Sequence, residues 1–221
     1  MVDLGDVDTS GDVDKTFSRI EAAVLEIVRK KARPIILGGD HSISYPVTKA
    51  LSRTYKGLAI LHFDAHPDLY EDLYGDRYSH ACPFARIMEN ELAQELVQVG
   101  VRAATGDQRA QARRYGVRMI EMKDFKPDTA LSFSRPLHIS FDLDALDPAF
   151  APGVSHHEPG GLSTRQVLDI LHALKAEIIG LDIVELNPSR DPSGITAAAA
   201  VKIIKEAAGM MVRARRPSRK R

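Results

Sequence analysis

At 221 residues with 44% hydrophobic side chains, the chain can bury one sizeable core and fold as one domain. Its 30 basic and 30 acidic residues cancel, so no global field favours nucleic acid or an anionic membrane, and no apolar run reaches the roughly 18–20 residues that span a bilayer. The polar start MVDLGDVDTS is neither a signal peptide nor a transit peptide, and the single cysteine, Cys82, excludes an internal disulfide and points to a reducing compartment.

In chain order, the periodic stretch TFSRIEAAVLEIVRKKA predicts a helix, followed by a strand in RPIILGG (33–39). A helix in the 40s and early 50s precedes a strand in LAILHF (58–63). ELVQVGVR and GVRMIEM hold two more strands around a polar helical stretch, and LHISFD (137–142) is a fifth. LSTRQVLDILHALKA is an amphipathic helix with a Ser-Thr start, EIIGLDIVEL (177–186) the last strand, and ITAAAAVKIIKEAAGMMVRA the last helix. This alternation predicts an α/β fold of parallel βαβ units, with helices on both sheet faces. The strand runs are continuously apolar, as strands buried on both faces require. Ligands in such a sheet bind beyond the carboxyl ends of the strands. RARRPSRKR (213–221) is a basic tail, expected to be solvated and to lie outside a folded domain of residues 1–212.

The strand ends carry the unusual chemistry. PIILGG leads to Asp40-His41-Ser42, LAILHF to Asp64-Ala65-His66-Pro67-Asp68, LHISF to Asp142-Leu143-Asp144, and IIGLDIV to Glu185. Side chains two apart in extended backbone point the same way, so Asp64, His66 and Asp68 converge if the strand direction continues. Taken singly, these are ordinary motifs: an Asp-x-Asp at a strand end is often an Asx turn. A calcium loop at Asp142 is rejected, because Leu146 and Asp147 stand where that loop needs a ligand and a glycine. Taken together, four acids and two imidazoles at strand ends repel one another without a cation. Oxygen and imidazole donors without thiolate suit Mn²⁺ best, with Zn²⁺, Fe²⁺ or Co²⁺ behind it. Two ions would neutralise the four Asp charges and lower the pKa of a shared water.

GGDHS (38–42), DAHPD (64–68), SFDLDALDPAFAPG (140–153) and VELNP (184–188) resemble the motifs of the ureohydrolases, the family of arginase and agmatinase. YSHACPFARIME and APGVSHHEPGGLS are most similar to its plant-type arginase branch. The resemblance implies a three-layer α/β/α sandwich with a mainly parallel sheet. It implies two Mn²⁺ per subunit, one held by His41, Asp64, Asp68 and Asp142, the other by Asp64, His66, Asp142 and Asp144. Among catalytic residues it implies His80 as proton shuttle, Glu185 as guanidinium clamp, and Asp68. Glu185, His80 and His156 would contact substrate. The expected activity is hydrolysis of a guanidino substrate, L-arginine to L-ornithine and urea, with agmatine to putrescine and urea as the alternative. A non-catalytic, truncated member is a third reading. A homo-oligomer, trimer or hexamer, is implied, without nucleic-acid or membrane partners. The compartment would be the cytoplasm, or the mitochondrion if a targeting segment stands upstream. VDLGDV resembles the family's second strand, so the chain is expected to lack the first.

Other residues read as structural. His62 and His138 lie inside strand patterns and are expected to be packed, and His172 sits on a helix surface. Cys82 as a nucleophile is redundant beside a metal set. His157 joins His156 as a candidate for the substrate mouth. In the loop from Leu69 to Arg77, Glu71, Asp72 and Asp76 do not welcome a substrate carboxylate, whereas Arg77 could.

Overall fold

The computed structural model describes residues 1–213; of the predicted tail only Arg213 falls within them, as the last residue of the final helix. Six parallel strands form one sheet in the order β1-β6-β5-β2-β3-β4. They are β1 (Ile35–Leu37), β2 (Ala59–Phe63), β3 (Glu95–Val101), β4 (Arg118–Glu121), β5 (Ser132–Asp142) and β6 (Lys175–Val184). The helices are α1 (Val13–Arg29), α2 (Ser44–Ser52), α3 (Pro83–Glu89), α4 (Gly106–Arg114), α5 (Thr164–Ala173) and α6 (Ile195–Arg213). None of these helices is long and apolar enough to cross a membrane.

The three layers follow from side-chain alternation. Ala59, Leu61 and Phe63 of β2 point into a cluster with Val167 and Leu171 of α5 and Ile203 of α6. Ile60, between them, points the other way, to Phe84 and Ile87 of α3. Ile20, Val24 and Val28 of α1 recur at helical spacing and pack on Val47 and Leu51 of α2 over the same face. Local chemistry fixes several helix starts. Asp12 caps α1 by accepting from Lys15 N–H, and Ser163 with Gln166 forms a capping box on α5.

Two sequence expectations are corrected. VDLGDV forms no strand: the Asp3 and Asp8 carboxylates accept from the Gly5 and Ser10 N–H groups, both at 2.9 Å, so local turns satisfy backbone that a ladder would have used. Val2 and Leu4 are exposed. β1 is therefore an edge strand of three residues. The extended direction of β2 also stops at Phe63, and Asp68 takes a left-handed φ of +50°. The ligand candidates after β2 thus converge through a turn, not along a prolonged strand.

Candidate metal centre

Parallel register lines the acids up. Phe63 pairs with Phe141, so Asp64 and Asp142, each one residue further on, stand side by side, and Asp142 pairs with Val184, just before Glu185. Gly100, at the end of β3, has φ +105°, and a Cβ there would lie 2.9 Å from the Asp64 carbonyl oxygen. Only glycine lets β3 approach the ligand turn so closely.

Two clusters share Asp64. In the first, His41 Nδ1 lies 3.1 Å from Asp64 Oδ2, 3.1 Å from Asp68 Oδ2 and 3.2 Å from Asp142 Oδ2. In the second, His66 Nδ1 lies 3.3 Å from Asp64 Oδ1 and 3.1 Å from Asp144 Oδ2. Asp64 therefore offers one oxygen to each cluster. Asp142 turns one oxygen to His41, while its other accepts the Asp144 N–H at 2.8 Å.

The surrounding hydrogen bonds decide which atoms face the centre. Ser140 Oγ donates to Asp182 Oδ1 at 2.6 Å, so it accepts from His41 Nε2 at 3.0 Å. A neutral His41 ring must then carry its proton on Nε2, leaving the Nδ1 lone pair toward three carboxylate oxygens. Nδ1 is buried and makes no hydrogen bond. A nitrogen and three oxygens converging on one point, held by a buried polar shell, fit a hard divalent cation.

The electrostatics agree. Burial opposes charge on His41, but Asp142, Asp64 and Asp68 outweigh it and hold its pKa well above the usual imidazole range. Burial likewise opposes charge on His66, yet Asp144 and Asp64 push it up to about 12. Burial and the Asp64 charge push Asp68 up to about 7, and raise Asp144; burial, then Asp144 and Asp64, raise Asp142 well above the carboxylate range. Without cations the cluster must hold protons.

His62 also lies near His41 and Asp64 with geometry open to a metal. Gln98 Nε2, which donates to the Pro67 carbonyl at 2.7 Å, lies 3.0 Å from His62 Nδ1. An amide nitrogen only donates, so Nδ1 accepts and Nε2 carries the hydrogen it gives to Asp64 Oδ2 at 2.8 Å. Burial lowers the His62 pKa to about 4, which keeps the ring neutral. His62 orients Asp64 and is not a ligand. His138 is buried as expected and pairs with the equally buried Asp182 at 2.6 Å. Sequence reasoning did not single out Asp182, Ser140 or Gln98. Their signal was a polar row in register, with His62 opposite Ser140 and Ser140 opposite Asp182, inside apolar strands.

Above the clusters opens a cleft. Asp68, Asp142 and Asp144 reach its floor, and Glu185, His80 and His156 line it, as do Tyr70, Ala103 and Gln108. The His80 and His156 rings lie 5.6 Å apart. Glu185 Oε1 accepts from the His41 N–H at 2.9 Å, and burial raises the Glu185 pKa. His157 does not line the cleft; its Nε2 bonds the Pro152 carbonyl at 2.7 Å. Nor does Arg77, whose Nη2 donates to both oxygens of Glu89 at 2.8 Å. His172 is half exposed and paired with Glu206 at 3.0 Å. Burial pushes the Cys82 thiol up to about 11, against a nucleophilic role. Arg102, also unforeseen, donates to the carbonyls of Asp144 and Glu158, each at 2.7 Å, and so ties the ligand turn to the mouth loop.

The Arginase family profile, described as "Arginase family", matches residues 1–209. The chain belongs to the arginase family. This family member is 47% identical over 224 residues to "Arginase 1, mitochondrial" of Arabidopsis thaliana, a match covering 94% of the chain and 66% of that relative. The chain thus spans just under two thirds of the length of that plant protein. The solved structure of arginase from Medicago truncatula superposes with a TM-score of 0.87 at 48% identity, over 91% of this chain and 67% of that one. That of proclavaminate amidino hydrolase from Streptomyces clavuligerus gives 0.86 at 31% identity, over 96% of this chain and 76% of that one. The three-layer α/β sandwich read from the sequence is the observed fold.

Proposed function

We propose that this arginase-family chain hydrolyses the guanidino group of L-arginine to urea and L-ornithine. Agmatine is the second reading, favoured by 33% identity to an agmatinase of Halalkalibacterium halodurans. The observation that carries the proposal is the convergence of His41, Asp64, Asp68 and Asp142 on one point beneath a cleft walled by Glu185 and His80.

Manganese is the metal we propose, two ions per chain. His41, Asp64, Asp68 and Asp142 would hold one, and Asp64, His66, Asp142 and Asp144 the other. When bound, the pair supplies a Lewis-acid centre that makes a water acidic enough to act as nucleophile near neutral pH.

The remaining work falls to the chain. Glu185 spends one oxygen on the His41 N–H, and its carboxylate pairs with the planar guanidinium by charge-assisted hydrogen bonds. That pairing orients the guanidino carbon over the floor of the cleft. Without ions, burial and the Asp64 charge raise the Asp68 pKa to about 7; an ion held there would keep its carboxylate deprotonated. His80, at the cleft wall, delivers a proton to the departing nitrogen. A C–O bond forms and a C–N bond breaks. Water supplies the oxygen of urea, and the amine leaves protonated.

The catalytic unit we propose is residues 1–212, assembled as a trimer or hexamer. The compartment is a reducing one, cytoplasm or mitochondrion. Urea release from arginine and agmatine, measured side by side with Mn²⁺, tests the reading. Urea from arginine in preference supports arginase, and from agmatine in preference the alternative. A chain that binds ions yet releases no urea from either is a non-catalytic member, and the proposal fails.

A further inference from the structure

We infer that Arg86 is the positioning residue for His80: it clamps the loop that carries His80 to the wall of the cleft. The role of His80 in turnover rests on the guanidino-hydrolase reading above; the clamp does not.

The need for a hold comes first. His80 stands in the long connection between β2 and α3, most of which is exposed from Glu71 to Tyr78. Among the described residues its ring makes no hydrogen bond and meets the His156 ring at 5.6 Å. The backbone of the loop, rather than a bond to the ring, sets where the ring stands. Exposed loops open at little cost in free energy. A misplacement of about 1 Å can slow a reaction about 10²-fold.

Arg86 supplies the hold. It lies on α3, is 3% exposed, and does not line the cleft. Its Nη1 donates to two loop carbonyls, Glu71 at 2.6 Å and Arg77 at 3.3 Å. These residues flank a tight hairpin in which Leu73 and Asp76 exchange backbone hydrogen bonds, each at 3.0 Å. One nitrogen thus joins the outgoing limb of the loop to the returning one, three residues before His80. Nη2 reaches Glu89 at 2.8 Å, and both Glu89 oxygens accept from the Arg77 side chain.

Little slack separates Arg77 from His80. The Tyr78 N–H donates to Asp76 Oδ1 at 2.8 Å, and the Cys82 N–H to the Ser79 carbonyl at 3.0 Å. A shift at the Arg77 carbonyl therefore carries through to His80. The guanidinium is not placed to satisfy itself: Nε is buried without a hydrogen-bond partner, which costs desolvation. The bonds its side chain does make go to the loop and to Glu89.

Arg86→Lys keeps the charge and breaks the fork. A single ammonium serves the loop carbonyls or Glu89, where a planar guanidinium serves both. Wild type, Arg86→Lys, His80→Ala and the double variant are loaded with Mn²⁺ and their bound ions counted. Urea release is followed from arginine or agmatine, whichever wild type hydrolyses faster. Arg86→Lys should keep its ions and lose at least about tenfold in kcat, more than KM changes. In the His80→Ala background the same substitution should alter kcat less than about twofold, because nothing is left to position. Loss of an ion, equal losses in both backgrounds, or no loss in either overturns the inference.

Amide hydrogen exchange reads the clamp without turnover. In Arg86→Lys the amides of residues 70–82 should exchange at least about tenfold faster, with those of β2 and β5 unchanged. Uniform acceleration, or none, overturns the clamp. If wild type releases no urea, the hydrolase reading fails by itself and exchange alone decides. Where Arg86→Lys does not fold, Glu89→Ala takes its place under the same criteria, since it removes the anchor of Nη2 from an exposed position.

Discussion

Asp64 divides its two oxygens between two imidazoles, His41 at 3.1 Å and His66 at 3.3 Å, while His62 orients it from behind. Each position has its chemical demand. A bridging residue needs two donor atoms, which a carboxylate has and a neutral imidazole lacks. His80 touches none of this machinery. His80→Ala should keep both ions and slow turnover by roughly 10²–10⁴-fold, the range for a lost acid–base group; metal analysis beside kinetics checks it, and an unchanged rate removes His80 from the reaction. Gly100 is the structural counterpart. With φ +105° and the Asp64 carbonyl 2.9 Å from where a Cβ would stand, Gly100→Ala should cost more than about 1 kcal/mol in chemical denaturation and weaken metal binding. The first-layer acids were legible because they cluster by motif at strand ends. Ser140, Asp182 and Gln98 were not, because a polar residue within an apolar run acquires meaning only when the neighbouring strand's register is known.

Elements were legible where one period dominates. α1, α5 and α6 carry clear apolar stripes, and five of the six strands sit on continuous apolar runs. β4 is the exception, part-buried and exposed at its start. β5 begins earlier than its apolar run, at Ser132, and its register shifts before Pro136, which masks the start of the strand in the sequence. The short α3, with Pro83 in its first turn, has too few residues for a periodic signal. Capping does work here that composition hides. Ser163→Ala removes the acceptor for Gln166 N–H at 3.1 Å and should cost about 1 kcal/mol, or about 2–4 °C in melting temperature for a chain of this size. A melt within experimental error of wild type would show that tertiary packing alone sets the start of α5.

For the whole molecule, a parallel sheet flanked by helices brings every chemically active strand end to one rim, and four of them supply the floor and wall of a single cleft. The net charge of zero says nothing of this local concentration of acid. Ion-free, the cluster holds protons on His41 and His66, and on Asp68 with its pKa near about 7. Cations must displace those protons, so metal affinity should rise with pH and fall on acidification. A calorimetric Mn²⁺ titration of the metal-stripped chain, repeated in buffers of different ionisation enthalpy, tests the two-ion centre most directly. The predicted result is two ions per chain with net proton release, and loss of both on Asp64→Ala. Binding of fewer than two ions, or two ions retained by Asp64→Ala, would contradict it.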